Sequence, residues 1–132
     1  MTTDGSYALD TSVAVAILNG EQASSEHWRR ASPVRLPVPV LGELLVGARR
    51  SGRPTYNEER VWKFTDLLIL LPCDAKVGRT YADIWVALMA AGRPIPENDV
   101  WVAACCLAAG AVLVSRDRHF DAVEGLQREE WR

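Results

Sequence analysis

Apolar residues recur along this chain in two rhythms, short runs and helical repeats, and their alternation is the first structural signal. SYALD, at 6–10, is a short apolar run closed by an acid and predicts a strand. TSVAVAILNG predicts a helix over 11–19, with Thr11 or Ser12 as N-cap and Gly20 as its stop. A more polar helix spans about 21–31 and ends before Pro33. VRLPV predicts a second strand; Pro37 and Pro39 then limit regular pairing, and LGELLVGARR turns helical. Val61, Phe64, Leu67 and Leu68 share one face of a helix over 55–69, and LILLPC is a third strand. Asp74 is placed to cap a helix over 75–91, where Val77, Tyr81, Ile84, Trp85 and Leu88 repeat at the helical period. GRPIPEN is a loop, a helix over 98–109 stops at Gly110, and AVLVS is a fourth strand. A short helical turn at 118–122 precedes a last strand near 126–131.

Strands separated by helices of this length need crossover connections, which make the sheet mainly parallel. The expected fold class is therefore α/β, a three-layer α/β/α sandwich with a mainly parallel central sheet. A length of 132 residues suits a single domain over 1–132.

Composition narrows the setting. The longest stretch without a formal charge runs from Val100 to Ser115 and contains Gly110. It falls short of the roughly 20 residues that cross a bilayer, so no membrane partner is expected. MTTDGSYALD lacks the basic start and apolar centre of a secretory signal, and a cytoplasmic location is expected. Cys73, Cys105 and Cys106 form no metal-knuckle spacing and read as three buried, free thiols. A net charge of −2 offers no general attraction for phosphate.

The acids change that picture. In a parallel sheet the strand carboxyl ends and the helix amino ends share one rim, where ligands bind. Asp10 ends the first strand, Glu43 falls in the first turn of the third helix, Asp99 opens the helix before the fourth strand, and Asp117 follows that strand. Taken singly, each can be explained by a helix dipole or a turn. Together they crowd four negative charges, an arrangement that a cation stabilises. Oxygen ligands without neighbouring Cys or His suit Mg2+ or Mn2+, which points to metal-dependent phosphoryl chemistry. Setting those four aside leaves 13 acids against 15 Lys and Arg, so the bulk charge averages an acidic pocket with a mildly basic remainder.

YALDTSVAVAIL, PVLGELLVGAR, GRPIPENDVWVAACCLAAGAVLVSRDRHFDAV and the closing GLQREEW resemble the PIN-domain ribonucleases, and within them the VapC toxins of bacterial toxin–antitoxin pairs. The likeness runs from about 7 to 131, with four acids in register. It implies an endoribonuclease dependent on Mg2+, with Mn2+ able to substitute, that hydrolyses RNA with a metal-activated water to a 5′-phosphate and a 3′-hydroxyl. By position it implies Asp10, Asp99 and Asp117 as metal ligands and Glu43 as the acid that shapes the site and orients water. Thr11, Ser12 and Ser115 match hydroxyl positions beside it; Ser12 and Ser115 stand where Asn and Thr are common in the family. The likeness also implies a cognate VapB-like antitoxin laid over the site, a homodimer, and operator DNA bound only through the antitoxin. The apolar faces of helices 11–19 and 55–69 are candidates for these contacts.

Other residues carry two readings each. Arg116 and Arg118 flank Asp117 and are candidates for contact with substrate phosphate, or belong to a solvated face. His119 reads as packing or capping rather than acid–base chemistry, and His27 as exposed. Asn98 is an N-cap or a site contact. Trp85 and Trp101 read as core, Trp28 and Trp62 as partner surface. A catalytically silent PIN-like module that binds a protein partner or nucleic acid is the alternative function, against which the four intact acids argue. A phosphoryl-accepting receiver domain fits poorly, since its acid pair at the first strand is missing here and the only lysines are Lys63 and Lys76.

Overall fold

The computed structural model describes residues 6–31 and 33–132; residues 1–5, half of the start read above as non-secretory, lie outside them. The elements run β1 (Tyr7–Leu9), α1 (Thr11–Leu18), α2 (Gln22–Ala31), β2 (Arg35–Pro37), α3 (Val38–Arg49), α4 (Pro54–Thr65), β3 (Ile69–Leu71), α5 (Ala75–Ala90), α6 (Glu97–Ala109), β4 (Val112–Val114), a 3-10 turn (Arg118–Ala122) and β5 (Arg128–Glu129). The strands form one sheet in the order β3-β2-β1-β4-β5, with every pairing parallel. Helix α1 packs on α2 and α3, α3 on α4, and α5 on α6, completing the three-layer α/β/α architecture.

The strand order matters for function. From β1 the chain moves outward through β2 to β3, then returns to lay β4 against the other side of β1. The reversal opens a crevice at the carboxyl ends of β1 and β4. Register aligns Leu9 with Val114, so the next residues on each strand, Asp10 and Ser115, emerge side by side. The Asp10 N–H donates to the Val114 carbonyl at 3.0 Å, which holds the two chain ends together. Beneath this edge lies the core, with Leu9, Leu36, Leu113 and Val114 of the sheet packed against Val13 of α1 and Val102 of α6. Gly110 ends α6 at φ 67°, a left-handed turn that glycine makes without a Cβ penalty, and so starts β4.

Several local expectations need correction. The N-cap of α1 is Asp10, whose Oδ1 accepts the Thr11 N–H at 2.8 Å, not Thr11 or Ser12. Helix α3 begins at Val38 and takes Pro39 into its first turn, where a missing N–H leaves no helical bond unmade. Glu43 consequently lies in the second turn, away from the strongest part of the helix dipole. Helix α4 ends at Thr65 rather than near 69, and Asp74 caps α5 as expected, accepting from Val77 N–H at 3.0 Å. Pro96, not Asn98, occupies the N-cap position of α6.

Side-chain burial departs from the helical period at several aromatics. Trp85 is 45% exposed, because the buried face of α5 is set by Val77, Ile84 and Leu88. Trp28, expected on a partner surface, packs edge-on against Phe64 with centroids 5.5 Å apart. His27 is half-buried and stacks on Trp131, itself buried and edge-on to Tyr7. Trp101 stacks on Tyr81 at 3.9 Å, and Trp62 is exposed. Cys73 is exposed rather than buried. Burial, with the Cys73 thiol alongside, pushes Cys105 up to about 12.

Candidate metal centre

Asp10 is the anchor. It is buried at the end of β1, and each carboxylate oxygen has a donor. Oδ1 accepts the Thr11 N–H, and Oδ2 accepts the Ser115 hydroxyl at 2.8 Å. Ser115 also accepts the Asp117 N–H at 3.0 Å, so one hydroxyl orients the first acid and fixes the turn that carries the last. The backbone around Ser115 is held independently: its N–H donates to the Glu129 carbonyl at 3.0 Å, and its own carbonyl accepts from Arg128 at 2.9 Å.

Asp99 projects from the first turn of α6 toward this edge. Its carboxyl is held above the usual range, first by burial and then by the negative charge of Asp10, with Glu43 and Asp117 adding to it and His119 opposing. Three acids from three other segments therefore act on Asp99 at the rim where strand and helix ends meet. Glu43 reaches the group from α3 and accepts a hydrogen bond from the Asn98 side-chain amide. Asp117 caps the 3-10 turn by accepting the His119 N–H at 3.1 Å.

His119 is the residue that sequence reasoning undervalued. Its Nε2 stands 2.9 Å from Asp99 Oδ2 and its Nδ1 2.9 Å from Asp117 Oδ1. One ligand atom from each of Asp99, Asp117 and His119 lies within 4.8 Å of the others. Closeness to Asp117 is readable from two-residue spacing; closeness to Asp99, on another element, is not.

The remaining expected site residues divide. Thr11 lies beside Asp10, and its Oγ1 is buried without a hydrogen-bond partner among the described residues. Ser12 is exposed in the first turn of α1. Arg116 turns away from the acids: its guanidinium pairs with Glu21 and donates to Ser24 Oγ at 3.0 Å and to the Trp131 carbonyl at 2.9 Å. That arginine fastens the C-terminal segment to α2 and is not available to a phosphate at the rim. Arg118 is exposed beside Asp117.

The donor set fits a divalent cation. Crowding of negative charge around Asp99 is relieved by a dication, and carboxylate oxygens suit Mg2+ or Mn2+. Around Glu43 the surface also opens into a groove of about 280 Å3 between α1, α3 and α4, lined by Val15, Leu18, Leu44, Arg60 and Val61.

Known proteins share this arrangement of chain. Ribonuclease VapC2 of Haemophilus influenzae is 28% identical over 128 residues, covering 95% of this chain and 97% of that protein. The tRNA(fMet)-specific endonuclease VapC of Shigella flexneri is 26% identical over 128 residues, with the same coverage of both chains. Among solved structures, DNA-bound VapBC from Salmonella typhimurium superposes with a TM-score of 0.90 at 25% identity, covering 96% of this chain and 98% of that one. The PIN domain family model matches residues 7–126, a span that contains all four acids and every strand but β5, and the chain belongs to that family.

Proposed function

We propose that this chain is the ribonuclease toxin of a toxin–antitoxin pair, an endoribonuclease dependent on Mg2+ or Mn2+ and restrained by a VapB-like antitoxin. The observation that carries the reading is the convergence of Asp10, Glu43, Asp99 and Asp117 at the sheet's switch point, where burial and then the charge of the other acids hold the Asp99 carboxyl above its usual range. The names of its relatives support the same class of activity.

In this reading Asp10, Asp99 and Asp117 hold the ion. A divalent cation there supplies activation of water near neutral pH and neutralises charge building on the phosphate. The chain's own residues do the positioning. Ser115 holds Asp10 in one rotamer and fixes the Asp117 turn; Asn98 holds Glu43 where it orients the attacking water. The water oxygen would bond to phosphorus as the bond to the 3′-oxygen breaks, one water proton passing to solvent and one reaching the departing 3′-oxygen, leaving a 5′-phosphate and a 3′-hydroxyl. No covalent intermediate is required. Arg118 takes the phosphate contact for which Arg116 has no freedom.

The groove between α1, α3 and α4 suits an extended, partly apolar segment of the antitoxin, since Val15, Leu18, Leu44 and Val61 line it together with Glu43 and Arg60. A segment lying there would obstruct the acids, with operator DNA bound through the antitoxin's own DNA-binding part. The homodimer surface is assigned to the outward face of α5, where Trp85, Val86 and Met89 stand exposed.

The test is cleavage of a fluorophore-labelled structured RNA by the purified chain. Cleavage is expected with Mg2+ or Mn2+ and is lost with EDTA and in Asp10→Asn. Equal cleavage by Asp10→Asn refutes the metal assignment; RNA that is bound but never cut restores the silent binding module.

A further inference from the structure

The geometry around His119 goes beyond an all-carboxylate site. Its Nε2 is buried, and although Asp99 Oδ2 stands 2.9 Å away, the pair makes no properly directed hydrogen bond. The two atoms are close without an N–H aimed at the oxygen. On the other side of the ring, Asp117 Oδ1 is engaged by the His119 backbone N–H. The ring is steadied by Phe120, which is buried and packs against it with centroids 4.6 Å apart. A buried imidazole nitrogen that no hydrogen bond engages, 2.9 Å from the Asp99 carboxylate, is able to ligate a cation as its unprotonated tautomer.

The spacing agrees. Adjacent ligands on an octahedral ion with bonds of about 2.1 Å stand about 3.0 Å apart, and Nε2 is 2.9 Å from Asp99 Oδ2. One ligand atom from Asp117 completes a group of three with Asp99 and His119, all within 4.8 Å of one another, near enough for small side-chain rotations to bring them onto one ion. An imidazole nitrogen binds first-row transition ions, Mn2+ included although the weakest of them, better than it binds the harder Mg2+.

We propose that His119 Nε2 is a direct ligand of the divalent ion held by Asp99 and Asp117, and that this nitrogen makes the site prefer Mn2+ to Mg2+. The inference rests on the metal-centre reading above and adds a ligand and an ion preference to it. It replaces the expectation of packing or capping for this residue. The competing arrangement leaves His119 as an outer partner that hydrogen-bonds the carboxylates.

Pulsed electron paramagnetic resonance on the chain loaded with Mn2+ alone separates these. Direct ligation gives nitrogen-14 echo modulation from a bonded imidazole, which changes to a nitrogen-15 pattern when histidine is isotopically labelled. The chain has two histidines, and His27 is stacked on Trp131, so the modulation should persist in His27→Gln and vanish in His119→Gln. By titration calorimetry, His119→Gln should weaken Mn2+ about tenfold or more and Mg2+ less than about threefold. An outer partner would weaken both ions together, by roughly 10- to 100-fold. Bound Mn2+ without nitrogen modulation, or a parallel loss of both affinities, overturns the proposal and leaves the metal centre standing. Failure of the native chain to bind either ion overturns both. Should His119→Gln not fold by circular dichroism, the isotope experiment on the native chain decides alone.

Discussion

Replacing Ser115 by Ala tests whether the acidic edge is built as described. Ser115 is fully buried, and its hydroxyl donates to Asp10 Oδ2 at 2.8 Å while accepting the Asp117 N–H at 3.0 Å. A hydrogen bond to a charged acceptor contributes about 1.5–3 kcal/mol, and a polar group left without its partner costs about 1–3 kcal/mol. Because the Asp117 N–H is only partly buried, the lower end applies to it, and the metal-free protein should lose about 3 kcal/mol. The main chain at this position is secured by Glu129 and Arg128, so the loss should stay with the side chain. For a chain of this size that corresponds to a drop of roughly 10 °C in Tm. Urea unfolding in EDTA measures it, with Ser115→Thr as the variant that keeps the hydroxyl. A double-mutant cycle with Asp10→Asn adds the decisive number: the Ser115→Ala penalty should shrink by about 1 kcal/mol once the acceptor is neutral. A Ser115→Ala loss below about 1 kcal/mol, or a penalty unchanged in the Asp10→Asn background, refutes the claim that this hydroxyl organises the site.

Further outcomes follow from the same geometry. Asp99 binds its proton more tightly in the folded chain than in the unfolded one, so metal-free stability is unpenalised below the ordinary carboxylate value and falls as pH rises through the raised folded value. Asp99→Asn should flatten that fall and be the more stable protein at pH 7 in EDTA, while binding Mn2+ poorly; paired urea melts from pH 4 to 8 check it, and a native chain whose stability fails to fall relative to the variant contradicts it. Arg116→Ala should cost about 1–3 kcal/mol by removing the charged donor 2.9 Å from the Trp131 carbonyl, which keeps only the 3.4 Å bond from Ser24, with RNA affinity little changed. Arg118→Ala should do the reverse, and binding isotherms beside thermal melts separate the two. Trp85→Glu should convert a dimer to a monomer in light scattering; an unchanged mass removes the assignment of α5 as the pairing face.

The order of elements, the parallel sheet and the gathering of Asp10, Glu43, Asp99 and Asp117 were legible in sequence because they follow from short-range rules. Apolar periodicity reports each element over a few residues, and parallel topology sends the strand carboxyl ends to one edge whatever the side chains are. Side-chain partnership is not of that kind. Ser115 finds Asp10 across 105 positions, Asn98 finds Glu43 across 55, and Arg116 leaves the site for Glu21 across 95. Each pairing depends on strand register and helix rotation, which local pattern does not contain. The same limit explains Trp85, whose spacing marks an apolar face of α5 but not which part of that face α6 covers. Sequence alone thus determined that acids would meet at one edge. Tertiary structure decided which hydroxyl orients them, which arginine is spent elsewhere, and that a histidine stands among them, because those outcomes turn on the register and rotation of elements distant in the chain.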